Sequence, residues 1–334
     1  LLDSYIEGKR QASRKVKFIH RAPLSAGKGS GGSTSSYVEK MTRRTLDTLS
    51  CVEGDITIEL KYNWSHAHSC PQLVKVHGGK LSDAYWNPPP ENYKLAWMMR
   101  NEDFFMLRWG QPEFIREHIA LNTKEYISGY FVGSETYIPA KDYITALTNT
   151  SNAYAFERQW MFYKLWGRLL YNPGTSDAVF TGAFNDRFPH LGEKLFIAQS
   201  QVSRIPLMIA SYWNATWDYT LYSEGFISRM GNKGKMKLLS LEQMCRKHPM
   251  NPDYLSIKEF LSNTAMNSED KISPLELADS IDSFCSNALL EIENIDYAEN
   301  SDLRYEVADI KAWANLGMYF SHKLRAATEY QQFL

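Results

Sequence analysis

The feature that most constrains the fold is an alternation of short apolar runs and helical stretches over the first 150 residues of the 334-residue chain. Four runs are rich in β-branched or aromatic residues and are bounded by Gly, Asp or Asn, as strands commonly are. These predicted strands are Val16–His20, Ile56–Tyr62, Phe104–Arg108 and Tyr126–Val132. Predicted helices lie at about 36–50, 112–121 and 140–148. Strands that alternate with helices form parallel sheets, so we expect an α/β fold.

Four βα units are too few to close a barrel, which needs about eight strands. The long connections after the predicted strands are typical of the catalytic loops of a (β/α)8 barrel. We therefore interpret residues 1–150 as the C-terminal half of a (β/α)8 TIM-type barrel. The chain begins at Leu1 rather than at Met, so we expect the remaining units upstream of it. An open α/β sheet is the alternative.

Strand patterns stop near residue 151, and helix signals replace them. Three segments have the capping-box pattern, in which Ser is followed three residues later by Glu or Gln. They begin at Ser240, Ser256 and Ser273. A long helical pattern also covers 302–334. These patterns predict an all-helical C-terminal domain over 151–334, whose last helix offers a surface for a homodimer.

Composition excludes several classes of protein. Lys and Arg total 37, Asp and Glu total 38, and the net charge is −1. This balance argues against a broad basic surface for nucleic acid or for an anionic membrane. No apolar run approaches the about 20 residues that a membrane span needs. Aromatic residues make up 13% of the chain, and their flat faces suit both core packing and stacking on sugar rings.

Carboxylates near the ends of the predicted strands are candidates for catalysis, because barrel enzymes carry their active sites at the carboxyl ends of strands. Glu59 shares one face of its strand with Lys61 by the period of two, and Glu135 follows the last predicted strand. Glycoside hydrolysis generally needs two carboxyl groups, so Glu59 and Glu135 are the predicted catalytic residues. The alternative for Glu59 and Lys61 is an internal ion network that only fills the barrel.

Basic, aromatic and imidazole side chains lie on or after the same predicted strands. Arg suits the recognition of carboxylate groups, and a Trp ring suits stacking on a sugar. The predicted substrate-binding residues are Arg21, Lys61, Trp64, His66, His68, Trp86, Arg108 and Trp109.

The sequence patterns for a metal site and for a phosphate-binding loop are weaker. His66 and His68 could bind zinc together with Cys70 or His77, which makes a metal-dependent hydrolase an alternative. No His follows the later predicted strands, so we predict no metal site. The glycine-rich segment 25–34 lacks the spacing of a phosphate-binding loop, and no cofactor is expected.

Short segments resemble a known enzyme family. Trp166–Pro173 resembles the "GRLAWDP"-like segment of microbial α-glucuronidases of glycoside hydrolase family 67. The strand Ile56–Tyr62 is similar to the strand that carries a catalytic glutamate in that family, which would correspond to Glu59. The resemblance implies a (β/α)8 barrel followed by a helical domain. The family's second catalytic carboxylate, an Asp, has no counterpart at 20–23, so the resemblance implies a general acid upstream of residue 1.

The runs 61–66, 108–112 and 133–139 also look like an uncharacterised group of bacterial glycosidase-like proteins. The predicted function is therefore a glycoside hydrolase that acts on polysaccharide-derived oligosaccharides. The resemblance implies a carbohydrate substrate with an acidic sugar, because Arg21, Lys61 and Arg108 suit a uronate or sulfate group. A non-catalytic carbohydrate-binding protein is a further alternative. We expect a periplasmic or secreted bacterial protein.

Overall fold

The chain divides into two compact units, which are described separately. The computed structural model describes residues 2–21, 36–48, 56–63, 68–74, 76, 83–100, 107–133, 155–212, 228–230, 236–238, 240–262 and 270–334. The first unit, called the sheet unit, comprises residues 1–67, 73–100 and 120–133. The second, called the helical unit, comprises residues 68–72, 101–119 and 134–334.

A parallel sheet forms the centre of the sheet unit. Its described strands are β1 (Phe18–Arg21), β2 (Ile56–Lys61), β3 (Lys94–Arg100) and β4 (Ile127–Gly133). They lie in the order β1-β2-β3-β4, and each pair of neighbours is parallel. The predicted α/β class with a parallel sheet is confirmed. A barrel is not confirmed, because the described strands of this unit form one four-stranded sheet and closure needs about eight.

Three helices accompany these strands along the chain. Helix α1 (Leu2–Gln11) precedes β1, α2 (Ser36–Asp47) lies between β1 and β2, and α3 (Pro112–Asn122) lies between β3 and β4. The predicted helices at 36–50 and 112–121 are thus confirmed. The predicted helix at 140–148 lies outside the described residues.

The third strand differs from the prediction. It was expected at Phe104–Arg108, whereas β3 is Lys94–Arg100, inside a stretch expected to be a loop. Leu107 lies in a bend, Arg108 is in neither helix nor strand, and residues 104–106 are outside the described part of the chain. Residues 95–99 of β3 are all buried. A parallel strand covered on both faces has a continuous apolar run instead of alternation, which removes the usual strand signal.

The two faces of β2 have different environments. Ile58, Leu60 and Tyr62 are wholly buried on one face. Thr57 and Glu59 are half-buried on the other face, which Lys61 shares. The alternation read from the sequence is therefore observed. A shift of one residue would reverse it and expose the apolar side chains.

Helices dominate the helical unit. Its described helices are α4 (Ala155–Arg158), α5 (Trp160–Tyr171), α6 (Ala178–Arg187), α7 (Gly192–Val202), α8 (Arg204–Tyr212), α9 (Leu241–Cys245), α10 (Ile257–Leu261), α11 (Pro274–Ile292) and α12 (Ser301–Phe333). The strands β5 (Ser228–Met230) and β6 (Met236–Leu238) form an antiparallel pair. The C-terminal part is therefore largely helical as expected, but it is not helical throughout.

The three predicted capping boxes are present. Ser240, Ser256 and Ser273 each accept a hydrogen bond from the backbone N–H three residues on, and the Gln or Glu there bonds back to the serine N–H. The Ser273 backbone and side chain lower the pKa of Glu276 because they donate to its carboxylate. The reciprocal bonds satisfy N–H groups that a helix start leaves without partners.

Two glycines mark places where chain segments approach closely. A Cβ on Gly317 of α12 would lie 2.5 Å from the Cys285 Sγ of α11. A Cβ on Gly110 would lie 2.9 Å from both Leu165 Cδ1 and Gln199 Oε1. Real Cβ atoms essentially never have neighbours this close, so a larger residue at either position would displace the neighbouring side chains.

The segment Leu107–Gln111 runs through the helical unit, and helices satisfy its backbone polar groups. Gln159 Nε2 donates to the Leu107 carbonyl at 2.7 Å, and Gln159 Oε1 accepts from the Trp109 N–H at 3.3 Å. The hydroxyl of Ser203 accepts from the Gly110 N–H at 2.8 Å. An irregular segment can be buried only if its polar groups find such partners.

Arg108 joins this segment to α12 through buried ion pairs. Its Nη1 donates to Asp309 Oδ2 at 2.7 Å, and its Nε lies 3.0 Å from Glu306 Oε1. Trp160 Nε1 also donates to Glu306 at 2.9 Å. Burial raises the pKa of Glu306, and the Arg108 charge opposes that rise. The structure therefore makes Arg108 an internal anchor.

We expect Arg108→Ala to lower the free energy of unfolding by about 3–5 kcal/mol, because it leaves buried carboxylates without their counter-charge. Urea denaturation followed by circular dichroism measures the change. Arg246→Ala is the matched control, since Arg246 pairs with Glu242 on an exposed helix surface. Its loss should cost under about 1 kcal/mol. Equal losses in the two variants would contradict the anchoring role.

Candidate functional site

Basic residues end the first three strands of the sheet. Arg21, Lys61 and Arg100 are the last residues of β1, β2 and β3. Because parallel strands have their carboxyl ends at the same edge, these three residues belong to one edge of the sheet. Arg21 and Lys61 were predicted as substrate-binding residues, whereas Arg100 was missed when the third strand was misplaced. The apolar run 95–99, bounded by Lys94 and Arg100, was the signal that could have found it.

Glu59 lies beside Arg21 in the sheet. The strand register pairs Arg21 with Glu59 and Glu59 with Ala96. Neighbouring strands lie about 4.8 Å apart, and residues in register share a face. Arg21 is exposed and Glu59 is half-buried. A carboxylate next to a cation near the carboxyl edge of a parallel sheet is an arrangement that can contact a polar ligand.

Lys61 lies on the same face of the sheet as Glu59, two residues further along β2. It pairs in register with Met98, and Met98 pairs with Phe131 of β4. Lys61 is buried, while the ring of Phe131 is 44% exposed. This face therefore combines charged groups with an accessible aromatic ring. Phe131 was missed as a candidate because its strand was read only as apolar.

Trp86 packs on the other face of the sheet. Its ring contacts Trp97 edge-on with the centroids 5.6 Å apart, and Trp97 contacts Tyr62 in the same way at 5.3 Å. Trp97 follows Ala96 and so lies on the face opposite to Glu59. The structure thus does not bring Trp86 together with Glu59, and its stacking on a sugar beside Glu59 is not supported.

Three predicted substrate-binding residues are core residues of the helical unit. Arg108, Trp109 and His68 are 2%, 0% and 0% exposed. Arg108 is held by α12 as described above, and Trp109 Nε1 donates to the Ser203 carbonyl at 2.9 Å. A fully buried ring presents no face to a sugar. Packing therefore explains these residues, and we correct their assignment to substrate binding.

His68 lies in a cage of aromatic rings. Its Nε2 accepts a hydrogen bond from Trp166 Nε1 at 3.0 Å, and its ring meets that of Trp109 edge-on at 5.1 Å. Burial, and then the neighbouring His118, hold the pKa of His68 well below its usual range. Burial lowers the pKa of His118 to about 3. Both imidazoles are therefore neutral at physiological pH.

The metal-dependent alternative loses a ligand in this arrangement, because the Nε2 lone pair of His68 is engaged by Trp166. Among the described residues, no group of three or more His, Cys, Asp or Glu side chains is placed to hold a metal ion.

The predicted site residues Trp64, His66 and Glu135 lie outside the described residues, as do His77 and the glycine-rich segment 25–34. In the part of the chain that the structure describes, no helix is both long and apolar enough to cross a membrane.

The fold is similar to that of a solved glycoside hydrolase. A GH138 enzyme targeting pectin rhamnogalacturonan II superimposes with a TM-score of 0.64 at 15% sequence identity. The superposition covers 88% of this chain and 43% of that chain, so this chain spans less than half the length of its neighbour. No protein-family model and no curated protein matches. The likeness supports a glycoside hydrolase-like fold, although not family 67 in particular.

We expect the protein to lose stability in acid, because His68 and His118 are buried in their neutral form. An unfolded imidazole has a pKa of about 6.5, and both folded values are lower. Their neutral burial therefore favours folding fully only above about pH 6.5, and this contribution falls as the pH drops toward the folded values. His118→Gln should reduce the slope of unfolding free energy against pH by up to about 1.4 kcal/mol per pH unit between about pH 6 and 4.5.

Urea titrations at several pH values measure this slope. The control is His322→Gln, which removes an exposed imidazole from α12 and should leave the slope unchanged. A His118→Gln slope equal to that of the wild type would contradict the neutral, buried state of this histidine.

Proposed function

We propose that this chain contributes to a glycoside hydrolase that acts on polysaccharide-derived oligosaccharides containing acidic sugars, uronic or sulfated. The observation that carries the proposal is Glu59 in register with Arg21 near the carboxyl edge of a parallel sheet. The likeness in fold to an enzyme that targets a pectic polysaccharide supports the same class of reaction. The carboxyl ends of parallel strands are also where α/β enzymes bind their ligands.

The chemistry calls for a second carboxyl group. One carboxyl group of a glycosidase protonates the leaving oxygen, and the other acts as nucleophile or activates water. Glu135 is the second carboxyl group in this proposal, because it follows β4 by two residues in the chain. The half-buried position of Glu59 suits either role, since partial removal from water makes a carboxyl group sensitive to its neighbours.

The cations suggest which sugar is bound. Arg21 and Lys61 end adjacent strands, and Arg100 ends the next one. A guanidinium recognises a carboxylate or sulfate through paired hydrogen bonds, and an ammonium adds a point charge. The face that carries Glu59 and Lys61 also exposes Phe131, and an aromatic ring can stack on a sugar. Acidic oligosaccharides fit these groups better than neutral ones.

Glu59→Gln should lower the turnover of a uronic acid-containing oligosaccharide by at least about 100-fold, because the amide cannot exchange a proton or attack. The measurement is reducing-sugar release by the full-length polypeptide. Glu125→Gln is the matched control, since Glu125 is an exposed residue just before β4, at the amino edge of the sheet. The control should retain wild-type turnover.

Near-wild-type turnover in Glu59→Gln would overturn its catalytic role. Tight binding of the oligosaccharide by the wild type without any cleavage would select the carbohydrate-binding alternative instead.

Arg21→Gln and Lys61→Met should each weaken binding of the same oligosaccharide by about tenfold, which corresponds to about 1.4 kcal/mol for one charge-assisted contact. The Met side chain keeps the apolar stem of the buried lysine. Calorimetric titration measures both affinities, and a carboxyl-reduced oligosaccharide is the matched ligand that should bind all variants alike. Lys94→Met tests a cation at the opposite edge of the sheet and should change nothing. Equal losses for acidic and reduced ligands would contradict charge recognition.

A further inference from the structure

The helical unit contains a cavity that the proposed reaction does not use. It has a volume of ≈ 150 Å³ and lies among the first turns of α3, helix α8 and the loop after α9. Its apolar wall is formed by Phe114, Leu207, Met208 and Tyr254. The volume is well above the roughly 10–15 Å³ that a single water needs. The cavity can therefore accept a small organic molecule.

Two buried polar side chains line this cavity with hydrogen-bonding capacity to spare. Asn251 is 8% exposed, and its Oδ1 accepts from the Asp253 N–H at 2.9 Å. No hydrogen bond joins its Nδ2, or the Oγ of Ser211, which is 3% exposed, to another described residue, and both atoms are accessible to solvent instead of fully enclosed. Hydroxyl groups of a bound ligand would give these atoms partners.

The charge at the cavity wall favours a cation. Glu113 and Glu117 lie one turn apart on α3 and both line the cavity. Arg204 also lines the cavity, but its charge is already paired, because it forms an ion pair with Glu113 and lies 5.0 Å over the ring of Phe284. Glu117 forms no ion pair with another described residue. Partial burial raises the pKa of Glu117, and the carboxylates of Glu113 and Asp253 add to that rise while Arg204 opposes it.

We propose that this cavity binds a small hydroxylated primary-ammonium compound of the amino sugar class. The ammonium group lies against the Glu117 carboxylate, which gives it a counter-charge. The hydroxyl groups accept from Asn251 Nδ2 and exchange a hydrogen bond with Ser211 Oγ. The apolar face of the ligand packs against Phe114 and Leu207. This site is built wholly from residues of the helical unit.

Calorimetric titration with glucosamine tests the proposal, in slightly acidic buffer where its amine is protonated. Glucose has the same ring and hydroxyl groups without the charge, so it should bind at least about tenfold more weakly. Glu117→Gln should weaken glucosamine binding by a similar factor and leave glucose binding unchanged. Glu329→Gln, which changes an exposed carboxylate of α12, should bind glucosamine like the wild type.

Ser211→Ala separates a ligand contact from a structural role. If the hydroxyl faces the ligand, the variant should keep the melting temperature of the wild type and bind glucosamine several-fold more weakly. A lower melting temperature with unchanged affinity would overturn the contact. Equal binding of glucose and glucosamine, or wild-type affinity in Glu117→Gln, would show that no ammonium group pairs with Glu117 and would overturn the proposal.

Discussion

The helical unit depends on one buried arginine. Arg108 contacts two carboxylates of α12, Glu306 and Asp309, and its carbonyl accepts from the indole of Trp313 at 2.9 Å. Two buried charges in contact gain little unless every remaining donor and acceptor is also satisfied. The bonds from Trp160 to Glu306 and from Gln159 to the neighbouring backbone satisfy part of these groups, whereas Glu306 Oε2 has no hydrogen-bond partner in the described part of the chain. Helix α12 and the start of α5 are thereby fixed to one five-residue segment.

The sheet unit positions its polar groups through a simpler constraint. Burial of Ile58, Leu60 and Tyr62 contributes about 1.5–3 kcal/mol for each side chain. The period of two then places Glu59 and Lys61 on the opposite face, where Glu59 is half-buried and Lys61 is buried. The place of the candidate carboxylate is thus a consequence of core formation. The same reasoning applies to Arg21, which the strand register carries to the level of Glu59.

Sequence patterns predicted those elements of the fold whose signals lie within a few neighbouring residues. The strands β1, β2 and β4 and the cap at Ser273 each have signals within a few residues. Strand β3 has no alternation because both of its faces are buried, so it was missed. The role of Arg108 could not be read locally either, since its carboxylate partner Asp309 lies 201 residues away in sequence. For the candidate site, strand period identified Glu59 and Lys61, whereas the burial of His68 and Trp109 depends on helices far along the chain.

The two glycines at close approaches have a consequence for substitutions in the helical unit. Gly110 and Gly317 lie where neighbouring side chains leave no room for a Cβ, whatever reaction the protein performs. A methyl group at Gly317 must displace Cys285, and one at Gly110 must displace Leu165 and Gln199. Together with the buried Arg108, these glycines make the packing of the helical unit sensitive to changes at residues that take no part in the proposed reaction.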